Sequence, residues 1–178
     1  SAASDVYKRQ PSCVVIVATI RALKMHGGVE KENLKKEDTN ALKKGLVNLE
    51  RHILNIKKFG LEPIVAINHF ALDTKKEIDV VLNFCKDMNV QVSECKHWAM
   101  GGKGTTDLAK MVVKTCKDSK KNNFKLLYKD DLNLWDKIEK IVKEIYRGNG
   151  ITANEDVKEQ LKVFENNGYK SLPVCIAK

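Results

Sequence analysis

From Cys13 onward, short β-branched runs alternate with longer stretches of helical period. Cys13–Ala18 reads CVVIVA, apolar throughout, as a strand covered on both faces would be. A polar stretch follows, and Asp38 with Thr39 then opens a helix. Its apolar positions Leu42, Leu46, Leu49, Ile53 and Ile56 advance in alternating steps of four and three, which makes one helical stripe. Gly60 stands where a left-handed C-terminal cap is wanted. Pro63–Ile67 is a second buried strand. Thr74 and Glu77 then have the spacing of a capping box, ahead of an inward face of Ile78, Val81, Leu82 and Cys85. Val90–Cys95 is a third strand. Thr105 or Thr106 caps a helix carrying Leu108, Met111 and Val112. Asp131 precedes a helix with Leu134, Ile138, Ile141 and Ile145, closed by Gly148-Asn149-Gly150. A last helix spans Asn154 to Asn167 and stops at Gly168, and Leu172–Ala177 reads as a fourth strand.

Strands alternating with helices predict an α/β fold with a mostly parallel sheet and covering helices. With no internal repeat or flexible linker, the pattern predicts one α/β unit. In open α/β sheets, ligands gather at the carboxyl ends of the strands. That rule selects Thr19–Gly28, Asn68–Thr74 and Lys96–Thr106.

Length and composition narrow the class further. The chain has 178 residues, enough for one sizeable core, and its 43% hydrophobic content is that of a folded domain. The longest apolar run, Cys13–Ile20, falls well short of the ~20 residues that span a bilayer, so no membrane partner is expected. The net charge of +9 comes from 28 lysines and only four arginines. Lysine is a hydrated point charge without the planar fork used on phosphates and bases, and the aromatics do not interleave with it. Even the densest patch, Lys110–Lys125, therefore reads as a solvated face, and no nucleic-acid partner is expected. The five cysteines are odd in number, widely spaced and without a CxxC pair, which suits reduced thiols in a cytosol-like compartment. Cys95 and His97 alone cannot make a zinc site, so no metal site is expected. Residues 1–12 match nothing downstream and are read as an artefact or an unstructured extension, leaving 13–178 for fold reasoning.

Chemistry-bearing residues cluster behind the second and third strands. Phe70 and Trp98 each follow a strand and stand outside the helical stripes. Two such rings could sandwich a flat heterocycle, or simply plug the sheet edge. Gly101-Gly102-Lys103-Gly104-Thr105-Thr106 runs from a strand into a helix start, where backbone amides favour an anion; the alternative is a plain glycine turn. It is not a phosphate-binding P-loop, whose G-x-x-x-x-G-K-[ST] pattern occurs nowhere in the chain. His26-Gly27-Gly28 offers a flexible connection or a backbone cradle. Asp73 could orient a ligand amine or only cap the next helix. Neither His69 nor His97 has an evident Ser, Cys or Asp partner for nucleophilic catalysis.

Ala18–Gly28, Asn68-His69-Phe70 with Asp73-Thr74, His97-Trp98-Ala99-Met100-Gly101-Gly102 and Leu172–Lys178 closely resemble, in order, motifs of formate–tetrahydrofolate ligase. That family also supplies the synthetase part of trifunctional one-carbon tetrahydrofolate synthases. The resemblance covers Cys13–Lys178, including Leu126-Leu127-Tyr128 and Lys143–Tyr146. It implies part of a P-loop NTPase-like ligase fold and an ATP-dependent reaction with Mg²⁺, in which formate becomes formyl phosphate and tetrahydrofolate takes the formyl group. It also implies that Phe70 and Trp98 are the aromatic clamp for folate or adenine, with Asn68, Gly101 and Gly102 supporting the ligand loop.

The family is roughly three times longer, its P-loop lies upstream of anything matching Cys13, and its terminal motif continues beyond Lys178. The chain therefore reads as an internal fragment, inactive by itself, whose partners are formate, ATP and tetrahydrofolate. A homo-oligomeric parent in the cytoplasm, or alternatively the mitochondrion, is expected. The competing readings are a non-catalytic α/β binding module and, more remotely, a basic nucleic-acid-binding domain.

Overall fold

The computed structural model describes residues 11–118 and 124–177, which divide into two compact units, one within 12–118 and one within 124–177. Among the described residues all strands lie in the first of these units. The proposed extension at 1–12 lies outside the described residues except for Pro11 and Ser12, as does part of the lysine-rich patch, 119–123.

The first unit is built on a parallel sheet in the order β1-β2-β3, from Val14–Ala18, Pro63–Asn68 and Gln91–Cys95. Val14 pairs with Pro63 and Ala18 with Ile67; Ile64 pairs with Gln91 and Asn68 with Cys95. Side chains alternate between the two faces of a strand. Val65 and Ile67 therefore look to one face, where they join Leu42, Leu46, Leu49 and Ile53 of α2 (Thr39–Lys58) and Ile78, Val81 and Cys85 of α3 (Lys75–Asp87) in a continuous core. The predicted stripe of α2, apart from the half-buried Ile56, and the inward face of α3 are this core, with Leu82 only packing against it.

A helix missing from the sequence reading, α1 (Ile20–His26), follows β1 at once, its N-terminus capped by Thr19. Gly27 closes it as the C-terminal cap. A Cβ there would stand 1.9 Å from the carbonyl oxygen of Ala41, and one on Gly45 would stand 1.8 Å from that of Leu23. The two glycines let the backbones of α1 and α2 touch.

On the opposite sheet face, α5 (Thr106–Asp118) lies over β3 and β2. β1 is not covered on both sides as its all-apolar sequence predicted: Val17 is 66% exposed, while its register partner Ala66 is buried. The reason is that α5 packs on β2 and β3.

The second unit contains α6 (Leu134–Ile141), extended by a π turn over Val142–Tyr146, and α7 (Glu155–Asn166). Asn133 and Asn154 cap the two helices, and Gly168 takes the left-handed conformation after α7. The expected fourth strand at Leu172–Ala177 does not form. This segment bonds to side chains in place of a neighbouring strand. The Tyr128 hydroxyl accepts from Val174 N at 2.9 Å, and the buried Lys137 ammonium donates to the carbonyls of Lys170 and Leu172 at 2.6 and 3.1 Å. No described helix is long and apolar enough to cross a membrane.

Candidate functional site at the strand ends

Three consecutive strands deliver three side chains to one edge of the sheet: Arg21 after β1, Phe70 after β2 and Trp98 after β3. The Arg21 guanidinium carbon lies 4.9 Å from the centre of the Phe70 ring, within cation–π range. The Phe70 and Trp98 centroids are 6.5 Å apart, with the planes inclined at 47°. Trp98 is 75% exposed, so the pair does not plug the sheet edge. Carbon layers in contact are separated by ~3.5–4.0 Å, so a ring between two others needs a gap of ~7–8 Å. At 6.5 Å the two centroids stand slightly closer than that.

The loop carrying Phe70 is held by local bonds. Phe70 N donates to Asp73 Oδ2 at 2.8 Å, and Asp73 N returns a bond to Phe70 O at 2.9 Å. Thr74 and Glu77 then form the predicted capping box of α3. Asp73 braces the turn and is not itself the cap. Asn68, the last residue of β2, has a buried Oδ1 with no hydrogen-bond partner among the described residues.

The loop carrying Trp98 begins with a single turn, α4 (His97–Met100), and a 3₁₀ segment, Gly101–Thr105, that runs into α5. Lys96 N donates to Gly104 O at 3.0 Å and ties the loop's two ends together. Gly104 has no room for a Cβ, which would fall 2.5 Å from the Lys96 carbonyl. Gly101 has φ +58° and ψ −146°, a conformation reserved for glycine. A Cβ on Gly101 or Gly102 would meet nothing within 4 Å, so that side of the backbone is open. The glycine run is thus a formed turn, and the hydroxyls of Thr105 and Thr106 donate to its carbonyls, Gly102 O and Lys103 O.

His69 has a carboxylate partner: its Nδ1 is in short hydrogen-bond contact with Glu94 Oε1, which also receives Lys96 Nζ at 3.2 Å. Burial opposes ionisation of Glu94 most strongly, but the His69 bond and the Lys96 charge outweigh it and hold the carboxyl below its usual range. The signal was the parallel register, which sets Glu94 beside Ile67, two residues before His69. Cys95, considered with His97 as a ligand pair, is buried, and its Sγ donates to Ser93 O. Among the described residues no three His, Cys, Asp or Glu side chains gather as metal ligands would.

A family model described as formate–tetrahydrofolate ligase matches residues 3–178. The formate–tetrahydrofolate ligase of Pelagibacter ubique is 54% identical over 95% of this chain. That of Staphylococcus aureus strain Newman is 52% identical over 94%. In both cases the chain spans 30% of the relative's length.

Proposed function

The chain belongs to the formate–tetrahydrofolate ligase family, and from that premise we propose that its strand ends form the stacking platform for a flat heterocycle, the pterin of tetrahydrofolate or the adenine of ATP. The observation that supports this reading is the convergence of Phe70 with the exposed Trp98 at the carboxyl edge of a parallel sheet. Each ring offers a π face to one side of the ligand. The Arg21 guanidinium lies over the Phe70 ring. Asn68, whose buried Oδ1 has no hydrogen-bond partner among the described residues, stands two residues before Phe70, and Gly101 and Gly102 leave the loop backbone open to close approach.

The reaction served is ATP-dependent. A formate oxygen attacks the γ-phosphorus of ATP, ADP leaves, and formyl phosphate forms. The tetrahydrofolate amine then attacks the formyl carbon, and phosphate departs to leave 10-formyltetrahydrofolate. Phosphate handling in that scheme requires a Gly-rich loop with its lysine and Mg²⁺, within a P-loop NTPase-like ligase fold. This sequence has no such loop, and its described residues group no carboxylates suited to Mg²⁺. No phosphoryl step is therefore assigned to these residues. A cytoplasmic or mitochondrial setting and a homo-oligomeric parent complete the reading, and the five free thiols suit either compartment.

Calorimetric titration of the purified 178-residue chain with 5-formyltetrahydrofolate and, separately, with ATP tests the platform. At least one ligand binds, and Trp98→Ala weakens it about tenfold or more, as the loss of ~1.5–3 kcal/mol of aromatic contact requires. Equal affinity of the variant overturns the assignment. With formate, ATP and tetrahydrofolate together the chain forms no 10-formyltetrahydrofolate; measurable product would refute the division of labour.

A further inference from the structure

Phe70 and Trp98 sit on different loops, each beyond the end of a strand, and neither ring is locked by a surrounding core. Something must set their separation. The backbone contributes one rung past the sheet, from His69 N to Cys95 O at 3.0 Å. Side chains contribute the rest. Glu94, in β3, reaches His69, the residue just before Phe70, and Lys96, two residues before Trp98. A single carboxylate oxygen thereby joins the turn that carries one ring to the turn that carries the other. His69 and Glu94 are only partly exposed, so solvent screens their attraction less than it would on an open surface, whereas Lys96 is more exposed.

We infer that Glu94 is a positioning residue, which by gripping His69 and Lys96 sets the gap and tilt between Phe70 and Trp98. The inference rests on the platform reading for its functional meaning, but its geometric content stands on the unliganded chain. Glu94 touches neither ring and acts through the loops. Holding both rings before a ligand arrives removes part of the ordering cost of binding.

The charges around the brace fit this role. Asp73 is occupied by Phe70 N, and Arg21 lies against the face of the Phe70 ring. Lys24, the nearby cation of α1, is spent on Glu77. Among these groups Glu94 is the one that links the two loops.

The test reads the rings directly. In a Trp135→Phe background, which leaves Trp98 as the sole indole, nuclear Overhauser contacts between the Phe70 and Trp98 rings are recorded without ligand. Glu94→Leu and His69→Leu reduce these contacts severalfold while far-ultraviolet circular dichroism stays unchanged. His69→Asn, whose amide can reproduce the Nδ1 donor, retains them. Titration with 5-formyltetrahydrofolate then shows about tenfold weaker binding for Glu94→Leu. Unaltered ring contacts in both leucine variants overturn the inference, even where Trp98→Ala has confirmed the platform. If ring contacts respond as expected but the unaltered chain binds neither folate nor ATP, the brace stands and the platform reading fails. Should Glu94→Leu fail to fold, His69→Leu with its asparagine rescue decides the matter alone.

Discussion

The ammonium of Lys24 and the carboxylate of Glu77 meet at 2.8 Å with side chains only 2% and 0% exposed. A buried ion pair is tolerable only when its remaining hydrogen-bonding capacity is met. Here it is: Lys24 Nζ also donates to Leu34 O at 2.8 Å and Lys36 O at 2.9 Å, and Glu77 accepts from the amides of Asp38 and Thr74. The pair fastens the loop before α2 to the N-terminus of α3, the helix that follows the Phe70 turn.

Removing one partner leaves the other charge buried alone. Glu77→Leu is expected to destabilise the first unit by ~3–5 kcal/mol, the usual cost of breaking such a pair. Urea unfolding followed by circular dichroism measures it, and a loss under ~1 kcal/mol would contradict the described hub.

Acid should act through the same groups. The carboxyls of Glu77 and Glu94 are both held below their usual range. In each, burial opposes ionisation most, and bonds from Lys24 and two amides, or from His69 and Lys96, prevail. A depressed folded pKa stabilises the protein above the unfolded value of ~4.3, and that contribution is lost as pH falls through the folded value. The urea midpoint is therefore expected to hold between pH 7 and 5 and to drop below about pH 4, with a smaller drop in Glu94→Gln.

Gly45 occupies the crossing of α1 and α2, where an added methyl would strike the Leu23 carbonyl. Gly45→Ala would raise helix propensity at an ordinary site. In this position backbone separation dominates, and a net loss of ~1–3 kcal/mol in thermal or urea unfolding is expected. A stabilised variant would show that the helices do not approach so closely.

Thiol chemistry should separate the cysteines. Burial pushes the Cys85 thiol up to about 11 and raises that of Cys95, whereas Cys116 and Cys175 are exposed. Since the thiolate is the reactive form, a disulfide reagent at pH 8 is expected to modify Cys116 and Cys175 quickly. Cys85 and Cys95 should react only on unfolding, as peptide mapping of the labelled protein can verify.

Features governed by near neighbours were legible in the sequence. The α2 stripe, the Thr74–Glu77 capping box and the three strands all depend on residues within four positions of each other. Helix α1 is not legible in the sequence because its seven residues follow the strand after a single capping residue, Thr19. The Leu172–Ala177 strand was wrongly expected because β-propensity describes a segment and says nothing about whether a partner strand is present. At the site, Phe70 and Trp98 were identifiable as rings beyond strand ends, but their 6.5 Å approach was not.

By itself, the sequence determined an α/β chain with parallel strands, its principal helices, its family and the aromatic pair at the sheet's carboxyl edge. The tertiary structure decided which charges meet, Lys24 with Glu77 and His69 with Glu94, and which strand face stays open at Val17. It also decided that Gly27 and Gly45 serve helix contact. The physical reason is the range of the interactions. Periodicity and capping are settled within a turn or a pleat, whereas ion pairs and close backbone crossings join residues far apart in the chain, through a register that only the assembled sheet and helices define.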